Sequence, residues 1–254
     1  MKLLRYYYQG EISYGVLDGE DIKVIDGDIF GDWSVGTQRI PFNKAEILTP
    51  VQPSKILAVG LNYRDHAVEF GEPIPEEPKI FIKPATAALA HGKNIVLPKQ
   101  SQRVDFEAEL AVVIKKEARH VSEEQADAYI LGYTCLNDVT ARDLQKKDGQ
   151  WIRAKGFDTF APFGPTIETE INPDHLDIQL IQNGVVRQHS NTRHFIFNVR
   201  QLVSFLSGIM TLLPGDVITT GTPSGVGPVL PGDSISVIIE GVGTLTNGAE
   251  NVAQ

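Results

Sequence analysis

The sequence Asp105-Phe-Glu107-Ala-Glu109-Leu-Ala-Val-Val-Ile114 places two carboxylates at the front of an apolar run. The run predicts a buried β-strand. Because successive side chains of a strand point to opposite faces, Glu107 and Glu109 should emerge on the same side. Two like charges this close repel each other unless a shared proton, a basic partner or a divalent cation neutralises them. Charged residues at strand ends are also commonly solvated, so the pair alone leaves these alternatives open.

A third carboxylate, Asp138, follows the next apolar run at the change from strand to helix. Arg142 and Gln145 lie four and seven residues later, and these offsets predict that the three side chains share one helical face. If the two apolar runs form neighbouring strands, Glu107, Glu109 and Asp138 converge. Such a cluster of hard oxygen ligands suits Mg²⁺ or Mn²⁺, with Ca²⁺ as an alternative.

Composition limits the class of protein. With 254 residues and 42% hydrophobic content, the chain can bury a full core as one large domain or as one domain with a small appendage. A net charge of −9 argues against a nucleic-acid partner, which requires a basic face. The only cysteine, Cys135, lies in an apolar run and is predicted to be a buried residue of a protein in a reducing compartment.

No stretch resembles a signal peptide or a membrane span. The apolar part of the N-terminal sequence is too short for a secretory signal, and the longest apolar stretch, residues 202–213, has 12 residues. These features predict a globular cytoplasmic protein without a membrane partner.

Turn signals predict the domain organisation. Asp-Gly pairs at residues 18–19 and 26–27 separate short alternating segments, which predicts a small N-terminal β domain over residues 1–50. A proline-containing linker at residues 48–53 leads into a main domain over residues 51–254. Asn183-Gly184 predicts a two-residue hairpin, and the polar sequence from Asn247 predicts a frayed tail.

Strand patterns outnumber helix patterns in the main domain. This count favours an α+β, β-rich fold built on sheet layers over a doubly wound fold. The glycine-rich sequence after residue 220 does not match a phosphate-binding loop, which argues against nucleotide binding. The predicted helices cover residues 62–70, 122–130, 140–147 and 197–210.

Two further segments carry side chains suited to catalysis. On a helix, His66 and Glu69 would face the same way, so the carboxylate could orient and polarise the imidazole as a base dyad. Pairs with this spacing are also common on helix surfaces. Lys155 stands beside a glycine among aromatic residues and prolines, which suits either a functional or a solvated lysine. The proline-dense segment 71–78 could be a lid or an inert connection.

Six motifs in the same order resemble the fumarylacetoacetate hydrolase superfamily over roughly residues 54–246. The motifs are Gly-Leu-Asn62-Tyr-Arg-Asp-His66-x-x-Glu69, Phe-x-Lys83-Pro, Asp-Phe-Glu107-x-Glu109, Asn-Asp138-Val-Thr-Ala-Arg142-Asp-x-Gln145, Lys155-Gly-Phe-Asp-Thr and Thr-Gly-Thr222-Pro-x-Gly-Val-Gly. The first 50 residues resemble the small N-terminal domain of the acylpyruvase, oxaloacetate decarboxylase and hydroxyheptadienedioate isomerase branch.

The resemblance implies a mixed β-sandwich roll and a homodimer. It implies that Glu107, Glu109 and Asp138 hold Mg²⁺ or Mn²⁺. Further implied roles are catalysis for His66, Glu69 and Lys155, and substrate binding for a second set: Arg142, Gln145, Thr222, Lys83 and Asn62.

The chemistry of such a site narrows the reaction but does not select it. A 2-oxo acid can chelate a divalent cation, which then stabilises an enolate. Hydrolysis, decarboxylation and tautomerisation share that enolate. We expect C–C cleavage of a small 2-oxo acid of the acylpyruvate or oxaloacetate type, because the complete histidine–glutamate dyad is present. The alternatives are an isomerase or keto–enol tautomerase on 2-hydroxyhepta-2,4-diene-1,7-dioate or oxaloacetate, and a non-catalytic metabolite-binding protein.

Overall fold

The computed structural model describes residues 1–71 and 73–253, and strands dominate this part of the chain. The strands are, in chain order, β1 (Lys2–Tyr8), β2 (Glu11–Asp18), β3 (Asp21–Gly27), β4 (Trp33–Pro41), β5 (Glu46–Ile47), β6 (Ile56–Gly60), β7 (Lys79–Lys83), β8 (Ala88–Leu89), β9 (Asn94–Leu97), β10 (Val104–Phe106), β11 (Ala108–Ile114), β12 (Ile130–Asn137), β13 (Thr140–Ala141), β14 (Ala161–Glu168), β15 (Asp177–Gln182), β16 (Val185–Asn191), β17 (Val217–Thr219), β18 (Gly227–Pro228), β19 (Ser234–Ile239) and β20 (Gly243–Asn251).

The helices are short. The α-helices are α1 (Arg64–Phe70), α2 (Arg142–Asp148), α3 (Ile152–Lys155) and α4 (Val199–Ile209), and 3₁₀ turns cover Phe42–Lys44, Ala85–Ala87, Glu123–Tyr129, Pro173–His175 and Thr192–His194. The helix predicted at 197–210 is confirmed as α4, which starts with a capping box between Asn198 and Gln201. The helix predicted at 122–130 is instead a 3₁₀ segment. In the described residues, none of the helices is long and apolar enough to cross a bilayer.

The centre of the molecule is β11, which is buried on both faces. Its even-numbered residues, such as Leu110 and Val112, join one apolar cluster, and its odd-numbered residues, Ala111 and Val113, join another. A strand covered on both faces reads as a continuous apolar run rather than an alternating one. The apolar run after Glu109 therefore corresponds to the innermost strand of a layered structure.

Two sheets enclose the main core. The first has twelve strands in the path β4-β3-β2-β1-β14-β12-β11-β17-β6-β7, with β5 and β8 attached at β1 and β14. The second has the order β16-β15-β19-β20-β9. One apolar cluster joins inward side chains of the two sheets, including Leu110 of β11 and Val237 of β19. The predicted β-rich fold of mixed sheets with an N-terminal β region is confirmed.

The N-terminal strands are continuous with the large sheet. Strand β1 pairs antiparallel with β14, with Leu3 opposite Ile167. Leu3 also shares an apolar cluster with Ile56 of β6, whereas Leu4 on the other face belongs to a small cluster made only of N-terminal residues. The first 50 residues therefore have a small core of their own and also extend the main sheet.

The C-terminal residues differ from the sequence-based expectation. The predicted frayed tail from Asn247 is wrong, because β20 continues to Asn251 and pairs in parallel with β9, with Gly248 opposite Asn94. Polar residues there alternate with buried ones, so the strand is half-buried and reads as polar in sequence. The hairpin at Asn183-Gly184 is confirmed, and Cys135 is fully buried, which raises the pKa of its thiol to about 12.

Candidate active site

The antiparallel pairing of β11 and β12 brings the three carboxylates together. Ala108 lies opposite Asn137, and the backbone N–H of Asp138 donates to the carbonyl of Glu107 at 2.8 Å. As a result, one ligand oxygen from each of Glu107, Glu109 and Asp138 lies within 4.8 Å of the others, and all three residues are buried. This convergence is the arrangement predicted from the apolar runs.

The helix in the prediction is placed differently. Because α2 begins at Arg142, Asp138 lies four residues before its first turn and does not share a helical face with Arg142 and Gln145. The predicted grouping nevertheless holds in space. Arg142 reaches back from α2 to Glu107 and, through Nη1, donates to Gln145 Oε1 at 2.7 Å.

Together with Arg142, two lysines place three cations around the triad. Lys155 Nζ bridges Glu107 Oε2 at 2.9 Å and Asp138 Oδ2 at 2.6 Å. Lys83 Nζ donates to the other carboxylate oxygen of Asp138, Oδ1, at 2.5 Å. The side chains reach the triad from different elements, since Lys83 ends β7 and Lys155 ends α3. Lys155 is therefore not a solvated lysine, because its ammonium is buried and doubly paired, and its catalytic role stays a prediction.

Glu109 has neutral partners instead of cations. Its Oε2 accepts hydrogen bonds from the Thr219 hydroxyl and, at 2.8 Å, from the backbone N–H of Gly221. Gly221 has φ +87°, and a Cβ there would lie 2.8 Å from the Cβ of Asn62. Only glycine therefore fits the turn that directs this N–H toward Glu109.

The pKa values of Glu107 and Glu109 are shifted in opposite directions. Burial would raise the pKa of Glu107, but the charges of Lys155 and Arg142 outweigh it and hold that pKa below its usual value. Burial, reinforced by the charges of Asp138 and Glu107, raises the pKa of Glu109 well above its usual value. Glu109 is therefore the carboxylate that most needs a further positive charge.

A divalent cation fits this donor set. All three ligands are carboxylates, which are the hard oxygen donors that Mg²⁺ and Mn²⁺ take. A carboxylate has about four lone-pair sites, so the bonds to Lys83, Lys155 and Arg142 leave acceptor capacity on each group. The residues that would hold the ion are Glu107, Glu109 and Asp138, and the surrounding lysines and Thr219 fix the orientation of these ligands.

The predicted histidine dyad is formed at the same cleft. His66 Nδ1 lies 2.9 Å from Glu69 Oε2 on α1, and His66 is buried. Glu69 Oε1 also accepts from the backbone N–H of Gly225 at 3.1 Å, while Asp65 accepts from the Ser224 hydroxyl at 3.1 Å. The loop after β17 thus holds α1 in place from two positions.

One cleft contains most of the predicted site residues. Its lining includes His66, the three carboxylates, Lys155 and three of the five predicted substrate-binding residues, which are Arg142, Gln145 and Thr222. It also includes Lys79 and Trp151, which lie outside the six motifs, and Gly60 and Phe81, which belong to two of the motifs without a predicted role. Alternation along β7 could have indicated Phe81, because it lies two residues before Lys83 and so shares its face. The residues beside Trp151 carry no comparable signal.

Two predicted substrate-binding residues have other contacts. Asn62 is fully buried, its Nδ2 donates to the carbonyls of Phe197 and Thr220, and its Oδ1 accepts from the backbone N–H of Phe197. These bonds use both polar atoms to join three segments, and a substrate contact of Asn62 stays a prediction. Lys83 is fully buried behind Asp138 and does not line the cleft.

Thr222 has a partner that the sequence did not reveal. Its hydroxyl accepts from Gln188 Nε2 at 2.8 Å, and Gln188 Oε1 accepts from the backbone N–H of Ala108 at 2.9 Å. Gln188 therefore links the glycine-rich loop to the strand that carries the triad. Segment 71–78 includes residue 72, which lies outside the described residues, so the choice between a lid and an inert connection stays open.

Comparison with known proteins identifies the class to which this fold and site belong. The family model described as fumarylacetoacetate (FAA) hydrolase C-terminal matches residues 55–249, and the Rv2993c-like N-terminal model matches residues 1–50. An uncharacterised protein of Archaeoglobus fulgidus is 54% identical over 250 residues, covering 98% of this chain and 96% of the relative.

Solved structures agree. The 2-hydroxyhepta-2,4-diene-1,7-dioate isomerase of Mycobacterium marinum superposes with a TM-score of 0.94 and 41% identity, covering 100% of both chains. Maleylpyruvate hydrolase of Sphingobium sp. SYK-6, solved with manganese(II) and pyruvate, has a TM-score of 0.83 and 31% identity, covering 99% of both chains. The chain belongs to the fumarylacetoacetate hydrolase family.

Proposed function

We propose that the protein is a Mg²⁺- or Mn²⁺-dependent enzyme that cleaves a C–C bond of a small 2-oxo acid of the acylpyruvate or oxaloacetate type. The observation that carries the proposal is the buried triad of Glu107, Glu109 and Asp138 in the same cleft as His66. The similar maleylpyruvate hydrolase, solved with manganese(II) and pyruvate, supports both the metal and the type of acid.

The size of the cleft supports a small head group. Its volume is about 130 Å³, close to the ~150 Å³ of an engineered cavity that holds benzene. A pyruvate unit fits such a space, and the remainder of a longer substrate would extend toward the opening.

The charged residues suit an enolate. The bound cation would supply positive charge to the carboxylate and oxo oxygens of the acid. Lys155 and Arg142 add fixed positive charge beside the same position, where it acts most strongly on charge that develops during the reaction. Both side chains are held by Glu107, so they need little rearrangement when substrate enters.

The histidine dyad would activate water. With Glu69 accepting a hydrogen bond from Nδ1–H, His66 Nε2 carries the lone pair that would remove a proton from water. In an acylpyruvate, the hydroxide would add to the acyl carbonyl carbon, and the C–C bond would break with its electron pair forming the enolate of the pyruvate unit. The proton taken up by His66 would return to that enolate, giving pyruvate and the free acid of the acyl group. Oxaloacetate would instead lose CO2 directly to the same enolate, without added water.

Pyruvate release is the direct test. We expect release from acetylpyruvate or oxaloacetate in the presence of Mg²⁺, at a rate above the spontaneous one, and we expect a chelator to abolish it. The measurement is a coupled pyruvate assay run with each substrate. Release that is equally fast with the chelator would contradict metal dependence, and no release from any acylpyruvate or oxaloacetate would contradict C–C cleavage.

Substitution of the dyad gives a second prediction. We expect His66→Asn to lower kcat for acetylpyruvate by about 10²–10⁴-fold, which is the usual contribution of a general base. The affinity for pyruvate should change little. The matched control is His189→Asn, which alters an exposed histidine of β16. The proposed role of His66 would be wrong if His66→Asn kept its kcat, or if it lost pyruvate binding in the same proportion.

A second function has its own support. The high similarity to the 2-hydroxyhepta-2,4-diene-1,7-dioate isomerase favours an isomerase or tautomerase that uses the same enolate. In that case the protein would exchange the C3 proton of the substrate with solvent, which NMR measures, without releasing pyruvate. The homodimer also stays a prediction, and sedimentation would test it.

A further inference from the structure

Three side chains on one face of strand β7 change from buried to exposed along the strand. Lys79, Phe81 and Lys83 are two residues apart, so they share one face of the strand. Lys83 is fully buried against Asp138, whereas Lys79 is exposed and lines the cleft. Phe81 lies between them, and Lys155 Nζ is 4.9 Å from its ring centroid. The row therefore runs from the triad to the opening.

The outer part of the cleft is aromatic. Trp151 and Phe81 have ring centroids 5.2 Å apart at an interplanar angle of 70°. A Cβ built on Gly60 would lie 2.7 Å from Cζ3 of Trp151, so only glycine leaves room for the indole ring there. Gly60 is paired with Lys79 across β6 and β7, which places the lysine beside this aromatic wall.

The charged side chains at the inner end of the cleft form ion pairs with one another. The carboxylates of Glu107 and Asp138 meet Lys83, Lys155 and Arg142, and Asp105 is shared by Arg142 and Arg103. Lys79 lies at the other end of β7 from Lys83. Four residues of strand separate its Cα from that of Lys83 by roughly 13 Å. A carboxylate at the head of a 2-oxo acid would lie at the inner end, and Lys79 would meet an anion at the far end.

We infer that Lys79 is a specificity-determining residue, which selects 2-oxo diacids longer than oxaloacetate by binding their distal carboxylate while the middle of the chain lies along Phe81 and Trp151. The inference rests on the proposed function, because it takes the head group to be a 2-oxo acid at the triad. It adds the class of substrate within that function. An ammonium has three donors, so Lys79 can bind a carboxylate and keep another partner.

The test uses acids that differ only at the distal end. The probes are 2-oxoadipate and 2-oxohexanoate, which have the same chain length and cannot undergo β-dicarbonyl cleavage, and pyruvate as a head group alone. Calorimetric titration in Mg²⁺ is carried out on the wild type, on Lys79→Met and on Lys79→Arg. The matched control is Lys147→Met, which removes the same charge at an exposed position of α2 outside the cleft lining.

We expect the wild type to bind 2-oxoadipate more tightly than 2-oxohexanoate. Lys79→Met should weaken 2-oxoadipate binding roughly tenfold, the effect of one charged hydrogen bond, without changing the binding of 2-oxohexanoate or pyruvate. Lys79→Arg should restore most of the difference, and Lys147→Met should leave it unchanged. The KM for maleylpyruvate relative to acetylpyruvate should follow the same order.

The outcomes separate the two claims. If pyruvate binds but the wild type does not distinguish the diacid from the monoacid, the role of Lys79 is wrong and the proposed function stands. The same holds if Lys79→Met weakens both six-carbon acids equally, or if Lys147→Met has the same effect as Lys79→Met. If none of the three acids binds, the proposed function and the inference both fail.

Discussion

Glu109→Gln is expected to abolish metal-dependent turnover while leaving the metal-free protein at least as stable as the wild type. Glu109 is buried beside Asp138 and Glu107, whose charges help to raise its pKa well above the usual value. The neutral amide removes one of three mutually repelling charges, and its carbonyl oxygen can still accept from Thr219 and Gly221. Loss of one charged ligand should cost at least about 10³-fold in kcat, since metal stabilisation of charge amounts to several kcal/mol.

The measurement is calorimetric unfolding with and without Mg²⁺. A ligand that binds only the folded state raises Tm as its concentration exceeds Kd, so Mg²⁺ should raise the Tm of the wild type and not that of Glu109→Gln. The control is Glu117→Gln, the same change at an exposed residue shortly after β11. A Glu109→Gln variant that kept both turnover and the Mg²⁺ shift would contradict the assignment of Glu109 as a ligand.

Lys155→Met is expected to damage both stability and catalysis. Lys155 bridges Glu107 and Asp138, so its loss leaves two buried carboxylates without that partner. Breaking a buried ion pair by removing one side costs about 3–5 kcal/mol of unfolding free energy. Loss of a fixed positive charge beside the developing enolate should lower kcat by about 10²–10³-fold. Mg²⁺ should raise the Tm of this variant more than that of the wild type. The bound cation would offset the repulsion between the carboxylates of Glu107 and Asp138, which Lys155 no longer neutralises.

Lys83→Met is the matched comparison for Lys155. Lys83 also pairs with Asp138, but it lies behind the carboxylate and does not line the cleft. We expect a similar loss of unfolding free energy, measured by denaturant titration, and a smaller loss of kcat once Mg²⁺ has restored folding. If the two variants lost the same kcat, or if Lys155→Met lost only stability, Lys155 would be a structural lysine and not a catalytic one.

The sequence predicts the part of the candidate site whose residues are close together along the chain or lie on neighbouring strands. Glu107 and Glu109 are two apart beside a long apolar run, and Asp138 ends the next run, so neighbouring strands were enough to bring them together. His66 and Glu69 needed only one turn of helix. The motifs therefore indicate the triad and the dyad without any tertiary contact.

Other side chains belong to the site only because of long-range packing. Trp151 reaches the cleft because Gly60 leaves room for its ring, and neither residue carries a local signal of the other. Asn62 lies within a motif yet joins Phe197 and Thr220, because backbone groups more than a hundred residues away meet it there. Residue type alone could not separate this task from substrate binding.

The sequence by itself determined the β-rich fold, the hairpin at Asn183-Gly184, helix α4 and the carboxylate pair, because periodicity and turn chemistry act over a few neighbouring residues. Tertiary structure alone decided that β1 extends the main sheet through β14, that β20 joins β9 to the second sheet, and that Lys83 and Lys155 meet at Asp138. The physical reason is that strand order and the burial of charged side chains depend on contacts between distant segments, and a local pattern records which face is buried but not which segment covers it.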